Sequence, residues 1–139
     1  MEIKKMPVLI VNDDNDDREL LQDAWKELGY VNPLLFFNNG EDVLQYLASE
    51  KPTPFIILCD VNIPKMDGFE LKERILEHSS MNYKSIPFVY WSDEVSNSQI
   101  EKSYDLGGNG FFVKGNTFAE IKKSLKEIVE YWSDSKIPE

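Results

Sequence analysis

Residues 55–71 read FIILCDVNIPKMDGFEL. Phe55 to Cys59 is an apolar run of strand length, and Asp60 follows directly. A strand without polar alternation is buried on both faces, as in a parallel sheet covered by helices. Pro64 and Gly68 punctuate the loop that follows, and Phe69 to Leu76 has helical spacing. This is one strand–helix unit with a carboxylate left at the strand end.

The same unit recurs on both sides. Upstream, Val8-Leu9-Ile10-Val11 is a strand, and Asp16 to Leu28 is a helix with Leu20, Leu21, Ala24, Trp25 and Leu28 on one face. Gly29 ends that helix. Leu34 to Phe37 is the second strand, Asn38-Asn39-Gly40 a turn, and Glu41 to Ala48 a helix with Val43, Leu44 and Leu47 inward. Downstream, residues 78–85 form a polar loop and Phe88 to Trp91 the fourth strand. Ser96 to Leu106 is a helix, and Phe111-Phe112-Val113 the fifth strand. Thr117 to Trp132 is the last helix, with Ile121, Leu125, Ile128 and Val129 as its inner stripe and Thr117/Glu120 as a capping box. Five strands alternating with five helices predict a doubly wound α/β domain, whose ligand site lies beyond the C-terminal ends of the strands.

Composition narrows the function. The 139 residues suit one domain with a core of about 7–132 and room for a genuine interior. A net charge of −10 argues against direct nucleic-acid binding and against an anionic membrane surface. One cysteine and one histidine exclude disulfide frameworks and Cys- or His-rich metal sites. No apolar run reaches membrane-span length and no signal peptide opens the chain, so a cytoplasmic protein is expected.

The strand ends carry the chemistry. Asn12 to Asp17 (NDDNDD) follow the first strand, Asp60 to Asn62 the third, Ser92 the fourth and Lys114 the fifth. If these strands are neighbours, two carboxylates, a hydroxyl and an ammonium converge. Two carboxylates plus a backbone carbonyl suit Mg²⁺. A carboxylate can also act as a nucleophile toward a phosphoryl group, with Lys114 and the metal supplying positive charge. There is no P-loop, because the turn after the first strand lacks glycine.

The runs VLIVNDDNDDRELL, FIILCDVNIPKMDGFEL, IPFVYWSD and NGFFVKG, in this order and spacing, resemble the receiver domain of two-component response regulators. The resemblance implies a flavodoxin-like sheet with strand order 2-1-3-4-5. It implies Asp60 as phosphoacceptor, Asp13 and the Asn62 carbonyl as metal ligands, Ser92 and Phe111 as switch residues, and Lys114 as the family lysine. It also implies Mg²⁺ as cofactor, a sensor histidine kinase as donor, a downstream protein partner, autodephosphorylation, and the face of the fourth helix, fifth strand and fifth helix as output surface. Only seven residues follow Trp132, so output through another protein or a homodimer is expected, with no output domain. The Glu130-Tyr131-Trp132 ending and the 78–85 loop are similar to those of stand-alone receivers that partner phytochrome-type kinases.

Three positions depart from the family pattern. Asn12 stands where the first acid of the pair is usual, so a metal would lose one charge and contact Asn12 through water. Gly115 replaces the proline after the lysine, leaving the peptide geometry open. Asp93 follows Ser92 where a small residue is usual. These departures support an alternative, a pseudo-receiver that binds partners without phosphorylation. A small phosphatase is a weaker alternative, because Asn62 replaces the second acid such enzymes carry.

Plainer roles exist for several residues. Asp16 and Asp17 are expected to be solvated acids favoured by the helix dipole. Ser92 alone could be a helix cap, Lys114 a surface lysine and Phe111 a core residue. Cys59 reads as a small buried apolar residue, and His78 as a surface one.

Overall fold

A computed structural model describes residues 5–49, 53–77, 86–92, 96–115 and 117–135. The strands are β1 (Val8–Val11), β2 (Leu34–Phe37), β3 (Ile56–Cys59), β4 (Phe88–Ser92) and β5 (Phe111–Val113). The helices are α1 (Asn15–Glu27), α2 (Gly40–Ala48), α3 (Gly68–Glu77), α4 (Asn97–Asp105) and α5 (Phe118–Asp134). All strand pairs are parallel and the sheet order is β2-β1-β3-β4-β5, as the sequence reading anticipates.

The unbroken apolar runs are explained by two cores, one on each face of the sheet. Leu9, Val11, Ile57, Cys59, Phe88 and Tyr90 pack with Val43 and Leu47 of α2 and Phe69, Leu71 and Ile75 of α3. Val8, Ile10, Ile56, Leu58, Val89 and Trp91 pack with Leu21, Ala24 and Trp25 of α1 and Ile121, Leu125, Ile128 and Val129 of α5. Successive side chains point to opposite faces, so a strand with helices on both sides must be apolar at every position. This holds for the central strands β1, β3 and β4, which are wholly buried. The edge strands β2 and β5 are only partly covered, and Phe112 is half-buried rather than a full core residue.

Local signals set the helix ends. Asp14 caps α1 by accepting from the Asp16 and Asp17 N–H groups, and Gly29 (φ 77°) leaves the helix in the left-handed region. A full capping box forms at α4, where the Ser96 and Gln99 side chains bond to each other's backbone N–H. At α5 only half the expected box forms. Thr117 accepts from the Glu120 N–H at 3.1 Å, while the Glu120 carboxylate accepts from the Thr117 hydroxyl at 3.0 Å instead of reaching the backbone. Among the described residues, no helix is long and apolar enough to cross a membrane. The 78–85 loop with His78, and Asp93 and Glu94, lie outside the described residues.

Candidate functional site

The strand order changes direction between β1 and β3, and the C-terminal ends of the strands beside such a point are where doubly wound folds place a ligand site. Backbone bonds carry the ladder one residue past each strand. Asn12 N–H donates to Phe37 O (3.0 Å), Asp60 N–H to Val11 O (3.0 Å), and Lys114 N–H to Ser92 O (2.8 Å). Asn12, Asp60, Ser92 and Lys114 are thereby fixed by the sheet rather than by loops.

The two oxygens of the Asp60 carboxylate have different partners. Oδ1 accepts from the Asn62 backbone N–H at 3.1 Å and faces the Ser92 hydroxyl at 3.4 Å. The Ser92 contact is long for an O–H···O bond, so the hydroxyl is near but not closed on the carboxylate. Oδ2 accepts from the Lys114 ammonium at 3.3 Å. Gly68 makes this placement possible, since a Cβ there would lie 2.8 Å from the Asp60 carbonyl oxygen. The start of α3 presses directly on the end of β3.

Lys114 is not a surface lysine. Its side chain is 1% exposed, and its Nζ lies 5.3 Å from the centroid of the Trp91 ring. A buried ammonium needs charged partners, and here it also donates to Asp17 Oδ2 at 2.7 Å. Asp17 is therefore not the solvated acid expected from sequence. Its side chain is 19% exposed and is aimed into the site. First-turn side chains lean toward the helix N-terminus and α1 begins just beyond β1, but this holds for Asp16 as well and so does not single out Asp17 in the sequence. Asp16 is exposed, as expected.

Asn12 is 2% exposed. Its Oδ1 accepts from the Asp14 N–H at 2.8 Å, which leaves Nδ2 to donate to Asp17 Oδ2 at 3.3 Å. Arg18, which sequence reading passed over, clamps this corner. Its guanidinium donates to Asn12 O at 3.0 and 2.7 Å and reaches Asn38 Oδ1. Asp13 is exposed beside it. The register Val11↔Cys59 puts Asp13 and Asp60 at the same end of the sheet.

The Lys114–Gly115 peptide is trans, because the described residues contain no cis bond. Gly115 has φ 85°, a conformation closed to the proline it replaces. Phe111 is half-buried and stacks on Tyr90, with ring centroids 5.8 Å apart. Cys59 is fully buried, and burial, with the neighbouring Asp60 charge, pushes its thiol well up.

Among the described residues, no group of three or more His, Cys, Asp or Glu is arranged to hold a metal. What the strand ends offer is Asp13, Asp60 and the Asn62 carbonyl, all hard oxygen donors. That set fits a divalent ion that retains several waters, as Mg²⁺ does, rather than one caged by protein.

Comparison with known proteins follows the same lines. The family model for the response regulator receiver domain matches residues 8–126. The probable methanogenesis regulatory protein FilR2 of Methanothrix harundinacea is 28% identical over 129 residues, covering 90% of this chain and 82% of the relative. The response regulator Rcp1 of Synechocystis is 26% identical over 133 residues, covering 92% of this chain and 89% of the relative. A solved structure of Rcp1, in its Mn²⁺-bound form, matches with TM-score 0.82 over 96% of this chain and 99% of that one, at 25% identity. The phosphorylated cyanobacterial phytochrome response regulator RcpA matches with TM-score 0.85 over 97% and 99% of the two chains, at 27% identity. With strand order and family model in agreement, the chain belongs to the response regulator receiver domain family of two-component signalling.

Proposed function

We propose that this chain is a phosphorylation-dependent switch in which Asp60 accepts a phosphoryl group from a sensor histidine kinase. The observation that carries this reading is the division of the Asp60 carboxylate between the Asn62 N–H and Ser92 hydroxyl on one oxygen and the buried Lys114 ammonium on the other. In the transfer, an Asp60 oxygen forms a bond to phosphorus as the phosphohistidine P–N bond breaks. The electron pair stays on the imidazole nitrogen, which takes a proton from solvent. Lys114 and Ser92 flank the two Asp60 oxygens, from where they would donate to a transferred phosphoryl group, and fixed positive charge and donors are the main aid this chemistry accepts. Asp13, Asp60 and the Asn62 carbonyl would hold Mg²⁺, with Asn12 contacting it through water. When bound, the ion adds positive charge at the transferred oxygens. The Mn²⁺-bound form of the related Rcp1 supports a divalent ion here. Hydrolysis of the acyl phosphate on Asp60 by water resets the switch.

Closure of Ser92 on the phosphoryl group and repositioning of Phe111 would carry the signal to the α4–β5–α5 face. Among the described residues the exposed large apolar side chains are Val31, Tyr104, Val113 and Tyr131, and the last three lie on α4, β5 and α5. A downstream protein, or a second copy of the chain, is the partner that such a surface suits. Likeness to a phytochrome response regulator favours a phytochrome-type kinase as donor.

The test is incubation with Mg²⁺ and acetyl phosphate or phosphoramidate, read as intact mass. One labile phosphoryl adduct is expected, absent in Asp60→Asn. A second reading, the pseudo-receiver, is favoured by Asn12, which stands where the family's first acid is usual. No adduct from these donors or from a cognate kinase selects it.

A further inference from the structure

We propose that Asp17 is the positioning residue for Lys114, and that the first turn of α1 thereby supplies the carboxylate that the β1 end lacks at Asn12. The inference rests on reading Asp60 as phosphoacceptor.

Three contacts carry it. Lys114 is almost wholly buried, and its shorter bond is to Asp17 (2.7 Å) rather than to Asp60 (3.3 Å). Asp17 is held in turn. Its backbone N–H donates to the Asp14 cap at 3.2 Å, and its Oδ2 also accepts from Asn12 Nδ2 at 3.3 Å. Asn12 has no freedom to turn away, because its Oδ1 is occupied by the Asp14 N–H.

The amide at position 12 and the acid at position 17 are thus complementary. An amide can donate to Asp17, whereas a carboxylate at position 12 would face Asp17 as a like charge within hydrogen-bond distance. The acid stands five residues further along the chain than the amide, and the amide orients it. The consequence concerns Asp60. With Asp17 as its anchor, Lys114 stays at the site whether Asp60 is a carboxylate or an acyl phosphate, and its hold on the free Asp60 carboxylate is only partial. A nucleophilic oxygen less tightly paired is freer to attack phosphorus.

The experiment is a cycle on the full chain: Asp17→Asn, Asn12→Asp, the double variant, and Asp16→Asn as control. Asp16 sits in the same turn with the same charge but is exposed and contacts no ammonium in the described structure. The readouts are metal-free thermal stability, Trp91 emission, and the initial rate of phosphorylation by acetyl phosphate with Mg²⁺. Trp91 reports because the Lys114 Nζ lies over its ring.

Asp17→Asn is expected to lower the midpoint by roughly 5 °C, change Trp91 emission, and slow phosphorylation by about tenfold through misplacement of the ammonium. Asp16→Asn is expected to track the wild type. The decisive feature is a reversal of sign. Asn12→Asp destabilises the wild type, where it repels Asp17, but restores stability, emission and rate in the Asp17→Asn background, where it replaces the lost carboxylate. The proposal is overturned if Asp17→Asn matches Asp16→Asn, or if Asn12→Asp has the same effect in both backgrounds. Should Asp17→Asn fail to fold, a folded double variant supports the proposal and an unfolded one overturns it. A wild type that takes no phosphoryl group defeats the reading of Asp60, while stability and emission still decide the role of Asp17.

Discussion

A single carboxylate with two unlike oxygens organises the strand ends. Asp60 sits one residue beyond the β3 strand, where a backbone bond to Val11 fixes its position and leaves the side chain to meet Asn62, Ser92 and Lys114. Gly115 shows how strictly one residue can be specified next to it. At φ 85° an L side chain is strained, and a Cβ would lie 2.6 Å from the Glu120 Cβ. Gly115→Ala is expected to cost about 1–3 kcal/mol in urea unfolding. Gly115→Pro, which needs φ near −65°, should cost more and disturb the Trp91 emission that reports on Lys114. A family-like proline is thus excluded here by the local path of the chain, and stability equal to the wild type in Gly115→Pro would refute that account.

At the scale of elements, the two faces of β4 make opposite predictions. Trp91 points toward α5, and its indole N–H donates to the Ser124 hydroxyl at 3.0 Å within the core. Tyr90 points toward α3, and its hydroxyl is the buried side-chain polar atom without a hydrogen-bond partner among the described residues. An unpaired buried donor costs about 1–3 kcal/mol. Ser124→Ala should therefore destabilise by about that amount, by leaving the indole unpaired. Tyr90→Phe should be neutral or stabilising, because it removes a group that was already unpaired. Because Tyr90 also stacks on Phe111, an unchanged phosphorylation rate in Tyr90→Phe would show that the ring, not the hydroxyl, supports the switch position. Calorimetry on the two variants checks the signs, and a loss of stability in Tyr90→Phe would mean that the hydroxyl is satisfied in solution.

For the molecule as a whole, the charge of −10 sets the response to ions. NaCl should raise the midpoint gradually by screening self-repulsion. Mg²⁺ at matched ionic strength should raise it further if Asp13, Asp60 and the Asn62 carbonyl bind it. At ten times the dissociation constant the excess is about 1.4 kcal/mol, or roughly 4 °C. The excess should vanish in Asp60→Asn while the NaCl effect remains. Equal shifts with the two salts would remove the metal from the site.

Much of the architecture was legible in the chain. Apolar runs without alternation dictate helices on both sides of β1, β3 and β4, and the side chains at the strand ends follow from the parallel order. Asp60, Ser92 and Lys114 could be picked out because each ends such a run. Asp17 could not be separated from Asp14 and Asp16 by type or spacing, since all are acids at a helix start. At α5 the Thr117 cap was legible but the course of the Glu120 carboxylate was not, since a Thr and a Glu three residues apart can bond through the backbone or through each other. Sequence alone determined which elements form and which faces they bury, because hydrophobic periodicity is a local property. Only the tertiary structure decided which carboxylate holds Lys114, because that contact joins residues 97 positions apart and depends on how α1 leans over the sheet and how completely the ammonium is taken out of water.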